Sequence, residues 1–233
     1  MSTGNPSSLA AAELFHVQGL VAVITGGGTG IGLMMAKALE QNGAKVYIIG
    51  RRKDVLEKAA KEQATYGNIF AIPGDVTSKD DLQRVTEQIR REVGFVNLFV
   101  ANAGVVGELL LSPKIWDQSI DEIYERLWNT EQTRFNQTLS TNVSAVYYSI
   151  VAFLPLLAAG NTQGNAMQSS QVIVTNSIAA FSRMSDVNLD YSASKAASLH
   201  MTKQMASMFS TGFSKHQIRF NIIVPGSKYW SAS

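Results

Sequence analysis

Apolar positions along the chain gather into short, nearly unbroken runs, separated by longer stretches in which they recur every three or four residues. The runs are Leu20–Thr25, Lys45–Ile49, Ile69–Ile72, Val96–Ala101, Gln171–Thr175 and Ile218–Val224. Most are β-branched, and they predict six strands buried on both faces. The periodic stretches predict helices near residues 30–42, 52–65, 78–93, 131–159 and 190–211. Such alternation builds a parallel sheet covered by helices on both sides, and right-handed crossovers favour the doubly wound, three-layer form, the Rossmann fold. Its ligand crevice opens at the carboxyl ends of the strands, so residues just after strands are the ones to inspect. Two stretches leave the rhythm, 105–130 and 159–170, and both read as surface excursions.

With 233 residues, 45% of them apolar, the chain can bury a sizeable core and fits one α/β domain over 17–233, after a short arm at 1–16. Its 20 basic and 18 acidic residues are scattered, which gives no electrostatic reason to expect nucleic acid or an anionic membrane as partner. Cysteine is absent, removing disulfides, thiolate metal sites and thiol catalysis together. His16, His200 and His216 are too dispersed for a ligand cluster, so no metal is expected. The first twenty residues lack the basic start and apolar run of a secretory signal. The longest apolar stretches, such as Val151–Ala159, fall short of a bilayer span and are interrupted by Pro155. A soluble, cytoplasmic protein is the expectation.

Directly after the first run comes Thr25-Gly26-Gly27-Gly28-Thr29-Gly30-Ile31-Gly32, leading into a helical pattern. Glycine lets backbone approach a pyrophosphate, and the free amides and positive dipole end of the following helix favour the anion. Strict G-x-G-x-x-G spacing is missing, and a P-loop fails because Leu33 stands where its lysine is required. A tight turn without ligand remains the plainer alternative for this motif alone. After the second run stand Gly50, Arg51 and Arg52, where NAD-selective folds usually offer an acid to the ribose. No carboxylate repels a 2′-phosphate there and two guanidiniums can pair with it, Arg51 first, so NADP(H) is preferred, with NAD(H) possible. Otherwise both arginines merely decorate the start of the next helix.

Tyr191 and Lys195 lie four apart near a helix start, where side chains of that spacing share a face. A phenol with a reference pKa of about 10 is a poor proton carrier at neutral pH, but a neighbouring ammonium and a cationic nicotinamide would favour its phenolate. Tyr191 then serves as general acid or base. Ser177 follows the fifth run at the same carboxyl edge. With no base beside it and no G-x-S-x-G elbow around it, its role is to polarise a carbonyl rather than to attack.

Thr-Gly-x-x-x-Gly-x-Gly after a first strand resembles the cofactor fingerprint of the short-chain dehydrogenase/reductase family. Asp75-Val76 resembles the family's adenine-contacting pair, and Asn102-Ala103-Gly104 its Asn-Ala-Gly element. The resemblance implies that Asn142, in LSTNVSAVYYS, helps hold a water linking the lysine to solvent; alternatively it satisfies helix backbone. Around it Val143, Val146, Tyr147, Ile150 and Leu154 form the expected buried stripe. Pro225-Gly226 after RFNIIV completes the family order. The implied activity is hydride transfer between NADP(H) and a small-molecule carbonyl or alcohol, in a homodimer or homotetramer. Lys195 would lower the Tyr191 pKa and hold the nicotinamide ribose. Only SKYWSAS follows the Pro-Gly pair, where the family continues through a substrate-covering loop and a seventh strand. A second expectation is therefore a C-terminally shortened protein that binds cofactor or partners with little or no catalysis.

Overall fold

Where β-branched side chains run unbroken, the chain is extended: β1 (Val21–Thr25), β2 (Lys45–Gly50), β3 (Ile69–Pro73), β4 (Leu98–Ala101), β5 (Gln171–Thr175) and β6 (Arg219–Ile223). The computed structural model describes residues 16–107, 117–166, 168–183, 189–209 and 217–226. All five pairings are parallel, in the order β3-β2-β1-β4-β5-β6, so the winding reverses between β1 and β4. The doubly wound sheet is as expected, with strand ends shifted by two residues at most. The arm expected at 1–16 lies outside the described residues except for His16.

Successive residues of a strand face opposite sides, and here each side meets its own helices. Ala22 and Ile24 of β1 join Val46 and Ile48 of β2 under α1 (Gly30–Gln41) and α2 (Lys53–Gln63). Val21 and Val23 join Tyr47, Ile49 and Phe99 on the other side, under α3 (Lys79–Glu92), α6 (Ala145–Gly160) and α7 (Leu189–Met208). The Phe99 and Phe153 rings stack there at 4.6 Å. Each large apolar side chain buried in this way contributes roughly 1.5–3 kcal/mol before entropy is charged against it. Glu40 of α1 is fully buried and accepts the amides of Thr65, Tyr66 and Asn68, which moor the turn into β3. Those amides hold its carboxyl below the ordinary value although burial, the largest single influence, pushes it up.

Three expectations need correction. The excursion at 105–130 contains a helix, α4 (Ile120–Trp128), closed by a capping box in which Ser119 and Glu122 exchange hydrogen bonds. None of its residues is buried, so local capping rather than core packing marks it. The long helix predicted at 131–159 is really α5 (Gln132–Leu139), a π turn at Ser140–Ser144, and α6. The stripe foreseen on it is also displaced: Val146 and Ile150 are buried, but Tyr147 is 42% exposed, and Ser149, Phe153, Leu157 and Gly160 face inward. Apolar residues surround α6, so period alone could not choose its inner face.

By length and composition the run Gln132–Gly160 could cross a bilayer, contrary to the shorter stretch expected from the position of Pro155. Of its most apolar window 44% is buried inside the fold, so the sheet accounts for much of that apolarity.

Candidate active site

The ends of all six strands and the helix starts beside them converge on a crevice of about 500 Å³ at the carboxyl edge of the sheet. Its floor begins with the turn after β1. Gly26 has φ +65° and Gly30 φ +54°, both left-handed values that favour glycine. A Cβ on Gly30 would meet nothing within 4 Å, so the turn presents bare backbone to open space. At Gly32 the reverse holds: a Cβ would drive into the Gly26 carbonyl oxygen and come within 2.5 Å of Asn102 Nδ2. Thr29 caps α1 without any side-chain hydrogen bond, leaving the first-turn amides available to an anion. Ile31 also lines this end.

Thr25 and Asn102 bind the turn after β1 to the turn after β4. Thr25 Oγ1 accepts the Asn102 and Ala103 amides at 3.0 and 3.1 Å, while Asn102 Nδ2 donates to the Thr25 and Gly26 carbonyls at 3.0 and 3.2 Å. Thr25 and Gly32 therefore shape the cradle from behind rather than line it. Arg51 and Arg52 sit at the lip beyond β2, exposed and, among the described residues, without an ion pair. Asp75 and Val76 line the next stretch; Asp75 Oδ1 accepts from Thr77 N and Oγ1, which fixes that turn.

At the other end stand the candidate catalytic side chains. Ser177 and Tyr191 share a side-chain hydrogen bond. Burial pushes the Tyr191 phenol up, and the bond to Ser177 opposes this. Lys195 Nζ lies 5.7 Å from the Tyr191 ring centroid and donates to the Thr175 carbonyl at 3.0 Å. Its pKa is brought down to about 8 by desolvation. In the protein alone burial therefore dominates the Tyr191 pKa, and the influence opposing it comes from Ser177 rather than from Lys195 as foreseen.

Asn142 lies in the π turn, 1% exposed, and does not line the crevice. Its Oδ1 accepts from Val105 N at 2.9 Å, and its Nδ2 donates to Val105 O at 2.8 Å and Ser194 Oγ at 3.0 Å. It ties the segment after β4 to the tyrosine helix. A Cβ on Gly104 would stand 3.1 Å from Asn142 Oδ1 and 3.7 Å from Lys195 Nζ, so glycine permits that approach. Pro225 lines the crevice; Gly226 is described but does not.

Sequence reasoning overlooked two buried side chains. Ser194 donates to the Tyr191 carbonyl at 2.7 Å, and Asn176 bonds Lys195, Ser198 and Ser177. The only signals were their places, one inside Tyr191–Lys195 and one beside Ser177. Among the described residues no His, Asp or Glu cluster could hold a metal.

A crevice at the winding reversal, floored by a glycine turn and closed by tyrosine and lysine, has the form of a dinucleotide-binding oxidoreductase site. The family model described as "short chain dehydrogenase" matches residues 20–229. The chain is 54% identical over 228 residues to short-chain dehydrogenase/reductase PhomF of Diaporthe leptostromiformis, covering 97% of this chain and 75% of that one. It is 41% identical to VdtF of Byssochlamys spectabilis, a protein of the same description, covering 94% and 76%. Among solved structures it resembles the Pseudomonas aeruginosa RhlG/NADP active-site complex, with a TM-score of 0.75, 28% identity and coverage of 91% and 74%. The chain belongs to the short-chain dehydrogenase/reductase family, whose members are nicotinamide-dependent oxidoreductases.

Proposed function

We propose that this protein is an NADP(H)-dependent oxidoreductase that reduces a carbonyl to an alcohol, and reverses the reaction when the alcohol is supplied. The observation carrying this reading is the Ser177–Tyr191 pair beside Lys195, at the far end of one crevice from Arg51. The site fits the cofactor: the open face of Gly30 and the uncapped start of α1 suit a pyrophosphate, and Arg51 suits a 2′-phosphate, with Arg52 beside it. The NADP named for the RhlG complex supports the same choice. Asp75 and Val76 would border the adenine, and Asn102, Ala103 and Gly104 the middle of the cofactor.

A bound NADPH would supply the hydride to the carbonyl carbon. Tyr191 donates its hydroxyl proton to the carbonyl oxygen as charge develops there, so one hydride and one proton convert the carbonyl to the alcohol. Ser177 offers a hydrogen bond to the same oxygen. Lys195 sets a positive charge beside the phenolate left behind and can hold the nicotinamide ribose. Asn142 holds the Gly104–Val105 segment against the helix bearing Tyr191 and Lys195.

The exposed face of α6, with Tyr147, Tyr148 and Val151, supports a homodimer or homotetramer. A cytoplasmic setting accords with a cysteine-free chain using NADPH.

The reading is tested by following NADPH consumption with a panel of ketones and aldehydes. Turnover should fall about 10²–10⁴-fold in Tyr191→Phe, while NADPH binding persists. Binding without turnover across the panel would favour the non-catalytic alternative.

A further inference from the structure

The two catalytic hydroxyls come from different elements, Ser177 from the turn after β5 and Tyr191 from α7. Something must fix the distance between strand end and helix. Asn176 lies between them, 3% exposed, with its backbone amide and both side-chain polar atoms engaged. Its backbone amide donates to the Ile223 carbonyl at 2.8 Å, tying β5 to β6. Its Oδ1 accepts the Ser177 amide at 2.8 Å. Its Nδ2 donates to the Lys195 carbonyl at 3.0 Å and to Ser198 Oγ at 3.1 Å, and Ser198 Oγ in turn donates to the Lys195 carbonyl.

One amide group thus holds the backbone of Ser177 with its oxygen and that of Lys195 with its nitrogen. Tyr191 stands one turn before Lys195 on the same rigid helix, so holding Lys195 holds Tyr191. The Ser177 side chain is aimed in addition by the Ala179 amide, which donates to its Oγ at 3.2 Å. We propose that Asn176 is a positioning residue that locks the Ser177 hydroxyl onto the helix carrying Tyr191 and Lys195. A side chain with only a donor or only an acceptor keeps one half of the clamp. The inference rests on the oxidoreductase reading for its consequence in catalysis, but its geometry can be tested without a substrate.

The test reads the titration of Tyr191 itself. The protein carries 3-fluorotyrosine, the fluorine NMR signal of Tyr191 is assigned by its loss in Tyr191→Phe, and its pKa is followed in Asn176→Ala, Ser177→Ala and the double variant. Ionisable groups on its own helix near Tyr191 are Lys195 and Asp190. Arg134, on the α5 helix packed against α7, is ion-paired with Glu131. The 178–180 turn, the π turn and β5 bring no ionisable side chain. None of these charges is altered by the substitutions.

Asn176→Ala should raise the Tyr191 pKa by about half a unit or more, in the direction of Ser177→Ala, because the hydrogen bond favouring the phenolate is loosened. The double variant should titrate close to Ser177→Ala alone, since both changes act on one bond. Asn176→Leu, close to asparagine in size, removes donor and acceptor together without adding a charge and should give a shift of the same sign; it also supplies the measurement if the alanine variant does not fold. With any carbonyl that the wild type reduces, kcat should fall in Asn176→Leu while NADPH affinity holds. A wild-type titration in every folded Asn176 variant, or a shift that adds fully to that of Ser177→Ala, overturns the proposal. Coupled titration in a protein that reduces nothing would keep the clamp and discard the oxidoreductase reading.

Discussion

Lys195 holds a charge in surroundings that disfavour it, and its pKa of about 8 makes this cost visible in stability as well as in chemistry. In the unfolded chain the group has its ordinary value of 10.5. Between these two values the unfolded state binds more protons, so the Lys195 contribution makes stability rise with pH; below about 8 both states are protonated and the burial cost is constant. Lys195→Met removes the titration. Urea unfolding near neutral pH and near pH 9.5 should therefore show the wild type gaining stability relative to Lys195→Met as pH rises, and a parallel response would refute the assigned burial. Asn142 shows how a residue can be placed by sequence without its bonding being legible. Its position came from resemblance, yet its bonds run to Val105 and Ser194, which no spacing rule reveals. Asn176 had no such rule at all, because its partners lie 19 and 22 residues away along the chain.

Among the elements, the glycine turn gives the sharpest expectation. Adding a methyl at Gly32 meets the Gly26 carbonyl, a backbone atom that cannot swing aside as a side chain can. Gly32→Ala should cost about 1–3 kcal/mol or more of stability and weaken NADPH binding, measured by thermal unfolding and by titration. Gly30→Ala meets no atom and carries only the strain of its positive φ, so it should destabilise less. The strands were legible because a doubly covered parallel sheet writes itself as continuous apolar runs. The π turn at Ser140–Ser144 was not, since its residues fit an α-helical period equally well. Helix α4 carried a readable capping box in Ser119 and Glu122, but none of its residues is buried, and no core demanded it.

At the scale of the whole molecule, topology brings the distant motifs together. Residues after all six strands meet along one edge because the strands run the same way, and the reversal between β1 and β4 opens the crevice there. Most of the residues foreseen as cofactor contacts line that crevice for this reason; Thr25 and Gly32 support it from behind, and Gly226 falls outside it. The division of labour across the crevice, Arg51 at one end and Tyr191 at the other, is the centre of the account. It is tested most directly by titrating the purified protein with NADPH and NADH in parallel, alongside Arg51→Ala. A charge-assisted contact to a 2′-phosphate is worth about 1.5–3 kcal/mol, so NADPH should bind roughly tenfold tighter or more than NADH, and Arg51→Ala should remove most of that difference without changing NADH binding. A folded protein that binds neither nucleotide, or binds both alike with and without Arg51, would contradict it.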